Sequence, residues 1–141
     1  TINAAVEKVY DLMIRDSFYR EWTSEFNPTS HYIGSWTKGS KIIFVGTDQD
    51  GKTGGMVSRI QENIPDKYIS IKHLGLFQDG KEITSGPEVE GWAGANENYT
   101  FTANEGKTLL SVELDAHQDF MTYFNETWPK ALDKLKEICE R

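Results

Sequence analysis

The stretch from Gln118 to Arg141 carries the only long, uninterrupted helical pattern in the chain, and it constrains everything before it. Phe120, Phe124, Trp128, Ala131, Leu132, Leu135, Ile138 and Cys139 recur at spacings of three and four, so a helix would gather them into one apolar stripe. Such a stripe needs a partner surface to cover it. The exposed side is supported by Glu126/Lys130 and Glu137/Arg141, opposite charges one helical turn apart. Pro129 lacks a backbone donor and crowds the preceding turn, which predicts a bend or a break there. The stripe is aromatic before the proline and aliphatic or small after it. We read the second half as core and the first half as a candidate pocket wall.

The 141 residues are expected to form one domain, residues 1–141, large enough to bury a core. A net charge of −7, with Lys and Arg scattered, argues against nucleic acid or an anionic membrane as the main partner. No apolar run is long enough to span a bilayer, and no signal-peptide pattern follows Thr1, although a leader upstream of Thr1 would lie outside this sequence. Cys139 has no second cysteine to pair with, which suits a reducing, cytoplasmic setting.

Val6, Val9, Tyr10 and Met13 repeat at helical spacing, with Asn3 as a candidate cap, and Asp16 or Ser17 can start a second short helix through Phe18, Tyr19 and Trp22. From Asn27-Pro28 to His117 the period changes. HYIGSW, KIIFVGTD, TGGMVSRIQENI, KYISIKHLGLF, NENYTFTA and TLLSVELDA read as six strands. Asp50-Gly51, Pro65-Asp66 and Glu105-Gly106 mark short turns and hence antiparallel hairpins. The long connection from Gln78 to Gly94 is the exception, and a loop of that length is usually functional. Alternation places Tyr32, Trp36, Ile42, Phe44, Met56, Ser58, Ile60, Ile69, Ile71, His73, Tyr99, Phe101, Leu110 and Val112 on one face. The opposite face should be solvated. Two short helices, an antiparallel run and a final amphipathic helix make an α+β domain whose sheet covers the last helix.

The pieces INAAVEKVYDLM, GSWTKGSKIIF, DGKTGGMVSRI, GKTLLSVEL and TWPKALDKLKEI, in this order, resemble the START-like superfamily of helix-grip proteins. Within it the chain is most similar to the family named after the C-terminal domain of the activator of the heat-shock-protein-90 ATPase. The resemblance covers essentially the whole chain. It implies a helix-grip fold like that of START domains and birch-pollen allergens: a curved antiparallel sheet wrapped around a long C-terminal helix, with a cavity between them. Relatives use that cavity for lipids, sterols or polyketides, and the superfamily also includes cyclases and a co-chaperone, so the fold alone does not define a function.

Motifs for catalysis or metal binding are scarce. His31, His73 and His117 stand far apart with no ligand spacing between them, and there is no nucleotide loop or nucleophile elbow, so neither a metal nor a cofactor is expected. Asp48-Gln49-Asp50-Gly51 lacks the later acids of a calcium loop and reads as a charged hairpin. The leading expectation is a non-catalytic cytoplasmic binder of a small apolar or aromatic molecule. Its cavity would be lined by Trp22, Trp36, Phe44, Met56, Ile71, His73, Trp92, Tyr99, Phe120, Phe124 and Trp128, with the 78–94 connection as a lid. His73 is the one polar group that the pattern places among apolar neighbours, and it is the candidate anchor for a ligand carbonyl or hydroxyl. A co-chaperone with a chaperone partner, or a cyclase-like enzyme, are the alternatives. The sequence does not distinguish a monomer from a homodimer.

Overall fold

In the computed structural model, residues 1–87, 94–115 and 121–141 are described. Helix α1 (Val6–Ile14) buries Val9, Leu12 and Met13, and α2 (Asp16–Trp22) buries Tyr19 and Trp22 before a single 3-10 turn, Thr23–Glu25. The N-cap of α1 is Ala5, without a side-chain cap bond, so Asn3 does not cap it. The Asn3 backbone N–H donates instead to Glu140, tying the start of the chain to its end.

The strands are β1 (His31–Gly34), β2 (Lys41–Thr47), β3 (Thr53–Ile64), β4 (Tyr68–Gln78), β5 (Lys81–Ile83), β6 (Asn96–Asn104) and β7 (Lys107–Leu114). They form one antiparallel sheet in the order β1-β2-β3-β4-β6-β7, with β5 paired to the far end of β4. The glycine-rich pairing of β2 with β3 keeps one register from Lys41↔Arg59 to Thr47↔Thr53. The six expected strands are therefore present, and β5 is an addition. It arises because Asp79 and Gly80 both adopt positive φ, 50° and 82°, closing a two-residue hairpin inside what reads in sequence as a loop. Glu105-Gly106 turns β6 into β7 in the same way.

Helix α3 (Met121–Cys139) runs without a break through Pro129. The proline removes the donor that would serve the carbonyl of Asn125, and Asn125 is exposed, where water can take that place. The stripe has the expected phase: Ala131, Leu135, Ile138 and Cys139 are buried against Ile42, Ile60, Ile69, Ile71, Tyr99 and Phe101 of the inner sheet face. The sheet curls around this helix, and α1 and α2 close the remaining side. The outer face departs from expectation. Ile43, Val45 and Val57 point outward yet are buried, and the chain leaving β5 crosses over Gly75, opposite Val57, where any Cβ would lie 2.0 Å from the Ile83 carbonyl oxygen. No described helix is long and apolar enough to cross a membrane.

Candidate functional site

The inner face divides into a filled region and an open one. In the filled region Tyr19 of α2 is ringed by Trp22, Tyr32, Trp36 and Phe44, with ring centroids 5.0–6.1 Å apart. Trp22 is anchored by its indole N–H, which donates to the Met13 carbonyl at 2.9 Å, and the Tyr32 hydroxyl donates to the Ile14 carbonyl at 2.6 Å. Trp128 of α3 packs edge-on to Phe26 at 5.0 Å and tilts against Trp22 and Tyr99. Such contacts use the ring quadrupoles as well as buried area, so this part of the cavity is a rigid aromatic wall.

The open region is a groove of about 670 Å³ beside the β2–β3 hairpin and the start of α3. Phe26, Phe44, Met56 and Tyr123 supply its apolar surface; Asn27, Ser30, Lys52, Gln78 and the acids Asp48 and Asp79 supply its rim. Phe44 and Met56 stand opposite each other in the β2/β3 register, which is why both face it. The Asp48 carboxylate is engaged in its own turn, accepting from the N–H groups of Asp50 and Lys52, as a charged hairpin requires. Among the described residues no three His, Cys, Asp or Glu side chains converge as metal ligands do.

Of the residues expected to line a cavity, Phe44 and Met56 thus reach the open groove, whereas Trp22, Trp36, Tyr99 and Trp128 belong to the aromatic wall and Ile71 to the core. Phe124 is half-buried beside Tyr123. Trp92 and Phe120 lie outside the described residues, as does the 88–93 part of the connection expected to be a lid.

His73 sits on β4 behind Phe44, with their rings 6.3 Å apart. It is not isolated. The Ser58 hydroxyl lies 2.7 Å from Nδ1, and Nε2 lies 3.3 Å from a carboxylate oxygen of Glu97. A carboxylate only accepts, so in the neutral imidazole Nε2 carries the proton and Nδ1 accepts from Ser58. The other Glu97 oxygen accepts a short hydrogen bond from the Tyr99 hydroxyl. Burial, reinforced by the Glu97 charge, holds the Tyr99 hydroxyl well above its ordinary pKa, and burial followed by the same charge does so for Tyr19. Both phenols therefore stay protonated and remain donors. The sequence reading missed Glu97, although the signal was present: it lies two residues before Tyr99 on β6, so alternation puts both on the inner face, opposite Ile71.

A curled antiparallel sheet, a long gripped helix and a groove between them define a helix-grip protein of the START-like kind. The chain belongs to the Activator of Hsp90 ATPase homolog 1-like protein family, whose profile matches residues 3–140. Among solved structures it is similar to the Aha1 dimer from Colwellia psychrerythraea, with 25% identity, a TM-score of 0.70 and coverage of 99% of this chain and 90% of that one. It shares the fold of the AHSA1-like protein from Aeromonas hydrophila at 13% identity and a TM-score of 0.67, over 96% of this chain and 85% of that one. Protein NE0264 from Nitrosomonas europaea has the same fold at 13% identity and a TM-score of 0.72, over 96% and 87% of the two chains. No curated protein matches the chain.

Proposed function

We propose that the chain acts as one domain, residues 1–141, that binds a small apolar or aromatic molecule between the sheet and the first half of α3, in the cytoplasm and without chemistry of its own. The observation that carries this reading is the open groove beside a rigid aromatic wall. Phe26, Phe44 and Met56 leave apolar surface facing space that the protein does not fill, and a pocket of a few hundred cubic ångströms with a few polar groups is the usual form of a small-molecule site. The enclosed Ser58 hydroxyl supports binding rather than acyl transfer. Although Ser58, His73 and Glu97 form a chain of hydrogen bonds, Ser58 is 0% exposed and a substrate carbonyl has no path to it. Native mass spectrometry of freshly purified protein should find a retained molecule, released when the protein is denatured.

Family membership favours a second reading, a co-chaperone acting on a heat-shock-protein-90-type ATPase. It predicts that the purified chain stimulates such an ATPase at a stoichiometric ratio; the binding reading predicts no stimulation.

A further inference from the structure

Gly46, Gly54 and Gly55 line the open groove, and two of them have a packing reason to be glycine. A Cβ on Gly46 would lie 2.9 Å from the side-chain nitrogen of Asn27, which is held in place by donating to the Thr47 carbonyl at 3.1 Å. A Cβ on Gly55 would collide with the Phe44 carbonyl. Gly54 has neither constraint. Its nearest neighbour would be 3.6 Å away, an ordinary contact, and its backbone is not in the left-handed region. It lies within β3, paired to Gly46 of β2 on one side and to Gln78 of β4 on the other, where a glycine weakens the strand and offers no side chain to pack. Alternation from Met56 puts it on the inner face. A glycine that packing does not require, on the floor of an unfilled groove, marks a place where something else approaches the backbone closely.

We propose that Gly54 is the specificity-determining residue of the groove and that the ligand is a flat aromatic ring system lying on the bare backbone there. This rests on the groove being a ligand site. Phe44 and Met56, opposite each other and one inward position further along their strands, bound that floor at one end. Phe26 and Tyr123 line the groove from outside the sheet, their rings 6.4 Å apart and tied by the Tyr123 hydroxyl, which donates to the Phe26 carbonyl at 3.0 Å. A planar ring meets peptide planes and aromatic side chains over its whole area, whereas a puckered saturated ring of the same skeleton touches them at fewer points. Gln78 continues the inner row beyond Gly54, and its side-chain amide has no hydrogen-bond partner among the described residues. An amide both donates and accepts, which suits a neutral hydroxyl at the edge of the ring.

The test is calorimetric titration of naphthol and of decahydronaphthol, its saturated counterpart, into wild type, Gly54→Ala and Gly54→Val. Wild type should bind naphthol about fivefold or more tightly than the saturated probe. Affinity for naphthol should fall stepwise as added carbons occupy the floor, by about tenfold or more in Gly54→Val, while thermal midpoints show that the variants fold. Should Gly54→Val not fold, Gly54→Ala and the preference of wild type still decide the matter. A merely structural glycine would give lowered midpoints with naphthol affinity and probe preference unchanged. The methyl resonance of Met56, which lines the groove, reports whether a probe is seated there. Equal naphthol affinity in wild type and the variants with the Met56 resonance still shifting, or equal affinity of wild type for the two probes, would overturn the assignment of Gly54 while leaving the groove as a ligand site. Binding of neither probe to wild type would remove both.

Discussion

Ser58 and His73 face each other across β3 and β4 with 2.7 Å between Oγ and Nδ1, at the point where the register shifts: Ser58 pairs with His73, but Val57 pairs with Gly75. Leu74 is the extra residue, and the irregularity restores alternation so that Met56 and Leu76 again share the inner face beyond it. Removing the hydroxyl leaves a buried ring nitrogen without its donor. Ser58→Ala should cost about 1–3 kcal/mol by urea denaturation. A loss below about 0.5 kcal/mol would mean that the hydrogen bond contributes little to holding the irregularity.

Gly54 and Gly55 are adjacent in β3 but have unequal surroundings. A Cβ on Gly55 would lie 1.7 Å from the Phe44 carbonyl oxygen, a backbone atom that cannot move without shifting β2, whereas on Gly54 its nearest neighbour would be at 3.6 Å. Gly55→Ala should therefore lose roughly 1–3 kcal/mol or more through overpacking. Gly54→Ala should be near neutral, or gain a few tenths of a kcal/mol from reduced freedom of the unfolded chain. Thermal midpoints of the two variants provide the comparison.

The buried phenols determine the behaviour in alkali. Tyr19 and Tyr99 have raised pKa values in the folded state, so above the ordinary tyrosine value of 10.0 the unfolded chain loses protons that the folded one keeps. Their stabilising contribution is complete below about pH 10 and falls as pH rises further, by up to about 1.4 kcal/mol per pH unit for each group. The Cys139 thiol, pushed by burial from 9.0 to about 11, adds a similar loss within that interval. Urea midpoints should fall from about pH 9 upward, and Tyr99→Phe should reduce the slope above about pH 10. An unchanged slope in that variant would contradict the burial of Tyr99.

Much of this architecture was legible because two periodicities dominate it. The stripe through Ala131, Leu135 and Ile138 predicted the gripped helix, and alternation through Ile69, Ile71 and His73 predicted which strand faces cover it. What was missed came from long-range effects. The outer residues Ile43, Val45 and Val57 are buried although alternation turns them away from the gripped helix, and no local pattern encodes that. Pro129 suggests a bend or a break on local grounds, yet α3 continues through it from Met121 to Cys139 without interruption. At the candidate site, sequence favoured His73 for its chemistry. An acid in a strand is ordinarily solvated, yet the same alternation that turns Tyr99 inward turns Glu97 inward too.

If ligand occupies the open groove and leaves the core behind it undisturbed, as proposed, two methionines report on it directly. Met56 lines the groove, whereas Met13 is 1% exposed within the core on α1. With methionine methyl groups labelled with carbon-13, titration of naphthol should shift the Met56 methyl resonance in a saturable manner and leave that of Met13 in place. A titration that leaves Met56 unmoved while Met13 shifts, or that moves neither, would contradict a ligand in the groove.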